Sequence, residues 1–421
     1  MATDPHHVIE VVWREEAARL VAGLARMTRD FSLAEELAQD ALVAALERWP
    51  DEGVPDRPGA WLMTTAKRRA IDRLRRDAML SRKHEQLVHE LEAATRRGDP
   101  QDEIDPDDDI GDELLRLVFT ACHPALSTEA RVALTLRVLG GLTTPEVARA
   151  FLVSEATVAQ RIVRAKRTLE KKQVPFEVPR GTERNERLAS VLEVVYLIFN
   201  EGYAATAGDD WVRPALCEDA LRLGRVLASL APQEPEVSGL LALMELQASR
   251  MQARVDGDGE LVLLMDQDRD RWDRQGIERG LDALAHAEAL HGRGPYALQA
   301  AIAACHARAS SPEATDWPRI ADLYATLAEV MPSPVVELNR AVAEAMAYGP
   351  QVGLDRVDTL TEDPLLANYH LLPSVRADLL LRLGCRDEAR AEFERAAALA
   401  QNARERALLQ RRAWACMSGV D

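Results

Sequence analysis

The sequence predicts an all-α protein: two small helical domains joined by an acidic linker, followed by a C-terminal helical-repeat domain. Ala, Leu, Arg and Glu dominate every region, whereas aromatic residues make up only 5% of the chain. Such a composition favours helices over sheets. Apolar residues also recur at helical spacing in the segments described below. Because 421 residues exceed the usual size of a single core, we expect two or three domains.

Charge and cysteine usage exclude several classes of protein. A net charge of -17 argues against general nucleic-acid binding, so any DNA contact must come from local basic faces. The five cysteines lie far apart without a Cys-x-x-Cys pair, which predicts reduced thiols rather than disulfides or a zinc finger. The chain shows no signal peptide, and its most apolar run is too short to span a bilayer. We therefore expect a cytoplasmic protein with no membrane partner.

The first informative helix is predicted to begin at Ser32, which forms a capping box with Glu35, and to end at Pro50. Its predicted inner residues are Leu33, Leu37, Leu42, Ala45, Leu46 and Trp49. Its predicted outer face carries Glu35, Glu36, Gln39, Asp40, Val43 and Glu47. From periodicity alone, this outer face is the solvated side of an amphipathic helix.

A second helix is predicted from Trp61 to Arg76, after the Pro/Gly-rich loop 50–59. Its inner stripe consists of Leu62, Ala66, Ala70 and Leu74. Arg75 follows Lys67 and Arg68 by about two helical turns, so the three cations share one outer face. Cations on one face beside a tryptophan suit a strand of phosphates with a base stacked nearby. A solvated charged face is the alternative interpretation.

An acidic stretch separates this helix from the next helical block. Nine carboxylates lie between Gly98 and Leu114 without a single Lys or Arg. Because like charges at this density resist compaction, the stretch is predicted to be a flexible linker.

The block after the linker contains the most specific local pattern in the chain. Thr144 and Pro145 open a short helix, and Ser154 is predicted to cap a second one. The second helix has an apolar stripe of Val158, Ile162, Ala165 and Leu169. Its opposite face carries Thr157, Gln160, Arg161, Arg164 and Arg167. Two short helices of which the second is basic predict a helix-turn-helix, with a helical hairpin lacking a DNA partner as the alternative.

The two basic blocks joined by an acidic linker resemble the extracytoplasmic-function class of bacterial sigma factors. Phe31 to Leu42 resembles the segment that binds the clamp helices of the largest RNA polymerase subunit, and Trp61 to Arg76 the segment that melts the −10 element. The loop 50–60 corresponds to the one that captures a flipped base. Leu114 to Lys172 resembles the region that binds the −35 element. Many relatives carry Asn where this chain has Arg68, so a −10 sequence preference is not transferred.

The resemblance assigns residues to three surfaces. It implies polymerase binding by Glu36, Gln39, Asp40, Val43 and Glu47. It implies contact with the −10 element by Arg57, Trp61, Lys67, Arg68, Arg75 and Arg76. In the helix-turn-helix, contact with the −35 element is expected from Glu155, Thr157, Gln160, Arg161, Arg164 and Arg167.

Residues from Gly181 onward resemble the long extension of one subgroup of these sigma factors, which is related to tetratricopeptide repeats. The clearest repeat runs from Leu371 through Gly384 to Ala398, and Asn339 to Ala343 is predicted to begin an earlier unit. The predicted domains are 1–95, the linker 96–112, the helix-turn-helix domain 113–175 and the extension 181–421. A repeat array leaves a concave surface, on which we expect a regulatory contact with an unidentified protein or ligand.

Asp266 to Asp273 contains alternating carboxylates that invite comparison with a calcium loop. Arg271 stands where that loop needs Gly, and Ile277 where it needs the bidentate Glu, so a metal site is not predicted. The interleaved charges instead predict an ion-pair cluster or docking onto another domain. The segment resembles a signature of the extended subgroup, with Asp266, Gln267, Asp268, Arg269, Arg271 and Trp272 as its regulatory residues.

Catalysis is not predicted, because the sequence contains no Gly-rich phosphate loop, metal-ligand spacing or nucleophile elbow. No cofactor is expected. The main alternative is a helix-turn-helix regulator with a repeat domain that does not join RNA polymerase; a repeat scaffold without DNA binding is a third interpretation. The acidic balance suggests that the linker or the C-terminal array covers the basic faces until polymerase is bound. The sequence does not decide whether the extension activates or inhibits.

Overall fold

A computed structural model describes residues 5–28, 30–78, 106–151, 153–204, 212–257, 261–400 and 402–418. Within these ranges the secondary structure is helical, without a strand, and one isolated antiparallel bridge joins Val255 to Leu261. The predicted all-α class is therefore confirmed. None of the helices in the described ranges is long and apolar enough to cross a membrane. The predicted linker residues 96–105 lie outside the described ranges.

The helices that precede the extension are α1 (Pro5–Thr28), α2 (Phe31–Glu52), α3 (Pro58–Ala78), α4 (Pro106–Ala121), α5 (Thr128–Val138), α6 (Thr144–Ala150) and α7 (Glu155–Lys171). The helices that follow are α8 (Gly181–Tyr203), α9 (Pro214–Leu230), α10 (Pro235–Ala248), α11 (Arg274–Ala289), α12 (Pro295–Arg308), α13 (Trp317–Val330), α14 (Pro334–Tyr348), α15 (Pro350–Leu360), α16 (Leu371–Arg382), α17 (Arg386–Leu399) and α18 (Ala403–Ser418). The end of the acidic stretch, from Pro106 to Asp112, thus belongs to helix α4.

The chain divides into two compact units, Met1–Val195 and Tyr196–Asp421. The division lies within α8, so the first half of this helix belongs to the N-terminal unit. There, Ser190 of α8 is buried, and its hydroxyl donates a hydrogen bond of 2.7 Å to the backbone oxygen of Cys122. Arg131 of α5 contacts the same hydroxyl and forms an ion pair of 3.0 Å with Glu193. The first helix of the extension is therefore packed into the N-terminal unit.

In the N-terminal unit, α1 packs against α2, α3 and α4. Two local expectations for α2 were wrong. The N-cap is Asp30, whose side chain accepts a hydrogen bond from the Leu33 backbone N–H at 3.0 Å, rather than Ser32. Pro50 lies inside the last turn, and the helix ends at Glu52, followed by Gly53 with a positive φ of 85°.

From α9 onward, the C-terminal unit is a succession of helices in which each packs against the next, as in a repeat array. Gly384 adopts a φ of 83° in the turn between α16 and α17, a conformation that glycine reaches at little cost. Small residues line the contacts of α14 to α18, including the buried Ala341, Ala377, Ala389 and Ala396. Asn339 to Ala343 lie inside α14, so that helix begins five residues before the segment noted in the sequence.

Candidate nucleic-acid interface

The helix-turn-helix is built by α6 and α7, which pack against each other. Thr143 and Glu146 form a capping box at the start of α6, in which the Glu146 carboxylate accepts a hydrogen bond from the Thr143 backbone N–H at 2.6 Å. Ser154 caps α7 by accepting a hydrogen bond from the Thr157 backbone N–H at 3.1 Å. The predicted cap of the second helix is confirmed.

Helix α7 buries one face and presents the other to solvent. The predicted stripe of Val158, Ile162, Ala165 and Leu169 is buried. On the opposite side, Glu155, Gln160, Arg164 and Arg167 are exposed, while Thr157 and Arg161 are half-buried. The side chains assigned to the −35 element thus share one accessible face, with polar groups near the start of the helix and cations beyond them. Such a face can read base edges with its first turns and bind phosphates with its last.

Helix α3 carries the residues assigned to the −10 element. Leu62, Ala66 and Ala70 are buried, and Lys67, Arg68 and Arg75 are exposed on the other side. Arg57 is exposed in the preceding loop. The half-buried Trp61 ring meets the buried Trp49 ring edge-on, with 5.4 Å between centroids, and this contact fixes the position of the aromatic face at the helix start. The side chains of Leu74 and Arg76 lie outside the described residues.

The residues assigned to polymerase lie together on α2. Glu36, Asp40, Val43 and Glu47 are exposed and Gln39 is half-buried. Leu46, expected on the inner face, is instead 39% exposed and extends this surface beside Val43, which is 49% exposed. Val43 and Leu46 thus form a small exposed aliphatic patch with carboxylates around it. Asp40 also lies 3.5 Å from the Arg69 guanidinium of α3, a solvent-exposed ion pair of small energy.

Glu35, expected on the outer face of α2, is buried at 4% exposure. Its carboxylate receives the guanidinium of Arg137 from α5 at 3.3 Å and the ammonium of Lys166 from α7. The amide of Gln39 donates a further hydrogen bond of 2.7 Å. Sequence reasoning missed this cluster, because the pairing joins residues more than 100 positions apart and no local pattern marks it.

The segment from Asp266 to Trp272 divides between the core and the surface of the C-terminal unit. Gln267, Arg269 and Trp272 are buried, whereas Asp266, Asp268 and Arg271 are exposed, as their alternation in the chain allows. The sequence left an ion-pair cluster or docking onto another domain open for this segment. In the structure, Asp270 pairs with Arg274 at 3.7 Å, and the guanidinium of Arg269 donates hydrogen bonds to backbone oxygens.

Arg269 holds the end of helix α12. Its Nη1 donates to the backbone oxygens of His306 at 2.6 Å and Ala309 at 2.7 Å, and its guanidinium lies 4.7 Å from the Trp272 ring centroid. His306 lies in the last turn of α12 and Ala309 directly follows the helix, where carbonyl groups lack partners within the helix. Burial lowers the pKa of the neighbouring His306 to about 4, so this imidazole is neutral near pH 7.

Cys122 and His123 are adjacent in the chain, but their side chains make structural contacts. The Cys122 thiol is buried against the Thr135 hydroxyl at 3.3 Å, and burial raises the pKa of this thiol to about 11. The His123 imidazole accepts a hydrogen bond from the Ala125 backbone N–H at 3.0 Å. Cys122 therefore carries a protonated, unreactive thiol. Among the described residues, no group of three or more His, Cys, Asp or Glu side chains is arranged to hold a metal ion.

Three families match separate parts of the chain. Residues 13–79 match Sigma-70 region 2, and residues 116–169 match Sigma-70 region 4. Residues 187–288 match a family of unknown function (DUF6596). The first two matches contain the exposed faces of α2, α3 and α7, and the third begins inside α8.

Relatives fall into two groups. An uncharacterized protein of Rhizobium meliloti is 44% identical over 391 residues, which cover 93% of this chain and 91% of the relative. The ECF RNA polymerase sigma factor SigK of Mycobacterium bovis is 31% identical over 157 residues, which cover 36% of this chain and 78% of that protein. The probable ECF RNA polymerase sigma factor SigI of Mycobacterium tuberculosis is 25% identical over 181 residues, covering 42% of this chain and 60% of the relative.

Proposed function

The chain belongs to the family of extracytoplasmic-function RNA polymerase sigma factors, and on that premise we propose how its exposed faces divide the work of transcription initiation. Proteins of this family bind core RNA polymerase and promoter DNA and are not enzymes. Domain ranges of 1–95 for −10 and polymerase binding, 113–175 for −35 binding and 181–421 for regulation form part of the proposal.

The −35 element is contacted by the exposed face of α7. The main support for the proposal is that the polar and basic side chains of this helix share one accessible face. Gln160 and Arg161 lie in the first two turns, where a recognition helix reaches base edges. Arg164 and Arg167 follow on the same face and contact phosphates. The chain as a whole is acidic, so these cations supply the local attraction that its net charge opposes.

The −10 element is contacted by α3 and the loop before it. Lys67, Arg68 and Arg75 bind the phosphates of the separated strand, and Trp61 supplies an aromatic face for a base. Arg57 lies in the loop that precedes α3, where an extruded base is held.

Core RNA polymerase binds the exposed face of α2 through its clamp helices. Val43 and Leu46 supply the apolar centre of this contact, and Glu36, Asp40 and Glu47 its acidic rim. The acidic rim requires a basic surface on the partner, which makes the interaction sensitive to salt.

The C-terminal unit regulates promoter output, and the segment Asp266 to Trp272 supports this role. Because Trp272 and Arg269 are buried, replacing them perturbs the core of the unit. Asp266, Asp268 and Arg271 are the members of the segment that an unidentified protein or ligand can reach. Comparing transcription by variants at these exposed positions with transcription by variants at the buried positions Arg269 and Trp272 decides whether the contact activates or inhibits initiation.

Co-purification with core polymerase, followed by run-off transcription from mapped promoters, tests the proposal. Asp40→Lys reverses a charge at the centre of the α2 face and is expected to reduce recovery with polymerase at least tenfold. Glu177→Lys makes the same change at an exposed position outside the assigned faces and serves as the control. Equal recovery of both variants would contradict the assignment of this face to polymerase.

The same experiment addresses the alternative of a helix-turn-helix regulator that acts without polymerase. Such a protein would bind operator duplex in the absence of polymerase and would not support run-off transcription. A comparison of chains with and without the extension must retain residues up to 195, because the first half of α8 is packed into the N-terminal unit.

A further inference from the structure

In the C-terminal unit, three arginines gather around two aromatic rings. Tyr203 ends α8, Arg250 and Arg254 follow α10, and Arg269 and Trp272 lie in the segment before α11. The Arg254 guanidinium is 3.9 Å from the Tyr203 ring centroid. The Arg250 guanidinium is 6.0 Å from the same centroid and 5.9 Å from that of Trp272, which also carries Arg269 at 4.7 Å. The two rings therefore bring three cations together.

Two of these cations have no counter-charge. Among the residues that the structure describes, the guanidinium groups of Arg250 and Arg254 have neither a carboxylate partner nor a hydrogen-bond acceptor, and the Arg254 Nε is buried. The buried carboxylate of Glu245, five residues before Arg250, is already paired with Arg225 at 2.6 Å and with Arg279 at 3.1 Å. Both free guanidinium groups belong to half-buried side chains, where an uncompensated charge costs free energy.

The titratable groups beside Arg250 do not supply the missing charge. Burial lowers the pKa of His306 to about 4, and the charges of Arg250 and Arg269 add to this shift. Burial raises the pKa of Tyr324 to about 12, with Tyr196 raising it further and Arg250 opposing the shift. A neutral imidazole and a protonated phenol cannot balance a guanidinium near pH 7. Positive charge is thus concentrated here, although the chain carries a net charge of -17.

The chemistry of this cluster suits a phosphoryl group. A guanidinium that lies over an aromatic ring uses its flat surface for that contact and keeps its N–H donors at its edge. These donors bind phosphate oxygens in pairs. A phosphoryl group carries a charge of about -1.5 to -2 at pH 7, whereas a carboxylate carries only one negative charge. Two uncompensated guanidinium groups therefore match one phosphoryl group better than one carboxylate.

We propose that Arg250 and Arg254 form a binding site for the phosphoryl group of a small molecule. Both guanidinium groups lie within 6.0 Å of the Tyr203 ring centroid, so one ligand can engage both. Through Trp272, Arg250 is also next to Arg269, which holds the end of α12. The site is thus beside the segment Asp266 to Trp272, and its link to transcription rests on the proposed regulatory function of this unit.

Phosphorus NMR of inorganic phosphate, titrated with the full-length chain at an ionic strength held constant with sodium chloride, tests the site. The wild type should bind phosphate saturably. Arg250→Gln and Arg254→Gln should each weaken the affinity at least about tenfold, because each removes charge-assisted hydrogen bonds. Arg250→Lys should weaken it less, since it keeps the charge but not the fork of donors. Arg293→Gln changes an exposed arginine of the same unit and is the matched control.

Absence of saturable binding, or wild-type affinity in both glutamine variants, would overturn the site. Circular dichroism checks folding, and Arg254 lies outside the α-helices, so a folding defect in Arg250→Gln does not remove the test. Succinate is the dicarboxylate probe, and tighter binding of succinate than of phosphate would overturn the choice of a phosphoryl group. Polymerase is absent from these titrations. Failure of the chain to co-purify with polymerase would therefore refute the proposed function and leave phosphate binding unaffected, whereas loss of the site would leave co-purification unaffected.

Discussion

Replacing Arg269 with alanine should destabilise the C-terminal unit by about 3–5 kcal/mol. Two short hydrogen bonds from its guanidinium to the backbone oxygens of His306 and Ala309 are lost. Hydrogen bonds from a charged group contribute about 1.5–3 kcal/mol each. The cation–π contact with Trp272, 4.7 Å from the ring centroid, adds about 1 kcal/mol. Burying a guanidinium costs free energy, and the alanine variant no longer has this cost, so the net loss of stability is smaller than the sum of the lost contacts.

Equilibrium unfolding in urea, followed by circular dichroism and by hydrogen exchange in α11 and α12, measures the loss. Arg271→Ala is the matched control, because Arg271 is two residues away and exposed. We expect it to cost less than about 1 kcal/mol, as surface substitutions usually do. Arg269→Lys should fall between the two, because an ammonium does not reproduce the fork of the guanidinium. Equal unfolding midpoints for Arg269→Ala and Arg271→Ala would refute the claim that the hydrogen bonds of Arg269 stabilise the end of α12.

Three further outcomes are expected. The folded pKa of His306 is about 4, below its ordinary 6.5, so the free energy of unfolding of the C-terminal unit should fall by about 3 kcal/mol as the pH drops from 6.5 to 4. In thermal unfolding, His306→Gln should flatten this dependence of stability on pH. An unchanged slope would refute the role of His306. Arg164→Ala should weaken binding of holoenzyme to −35 DNA several-fold and reduce the salt slope by about one unit, as measured by fluorescence anisotropy; an unchanged slope would show that Arg164 contacts no phosphate. Ser190→Val should lower the stability of the N-terminal unit by about 1–3 kcal/mol, because it removes the bond to the Cys122 backbone oxygen; wild-type unfolding would show that α8 is only loosely attached.

The local structure was largely predictable from the sequence. The apolar stripes of α3 and α7 and the Ser154 cap depend on residues within a few positions of each other. The structure confirms the cap, the α7 stripe and, among the described side chains of the α3 stripe, Leu62, Ala66 and Ala70. The exact start of a helix is harder to predict where several capping residues lie close together. Asp30 and Ser32 are both good N-cap residues for α2, and in the structure the carboxylate of Asp30 caps the helix.

The tertiary structure decided which polar residues leave the surface. A helical period identifies a face but not whether another element covers it, which is why Glu35 is buried and Leu46 exposed. The same limit applies to Asp266–Trp272, where the alternating charges left an ion-pair cluster or docking onto another domain open. Arg269 binds backbone oxygens at the end of α12, about 40 residues further along the chain.

The sequence by itself therefore determined the all-α class, the helix-turn-helix and the basic faces, because short-range periodicity, capping and charge specify them. The tertiary structure decided that α8 belongs partly to the N-terminal unit and that Glu35 joins α2 to α5 and α7. Those contacts unite residues some 60 to 130 positions apart. The energy of these contacts depends on charges and hydroxyls that become buried only when helices distant in sequence pack together. The periodicity of a single helix does not show which distant helix will cover it.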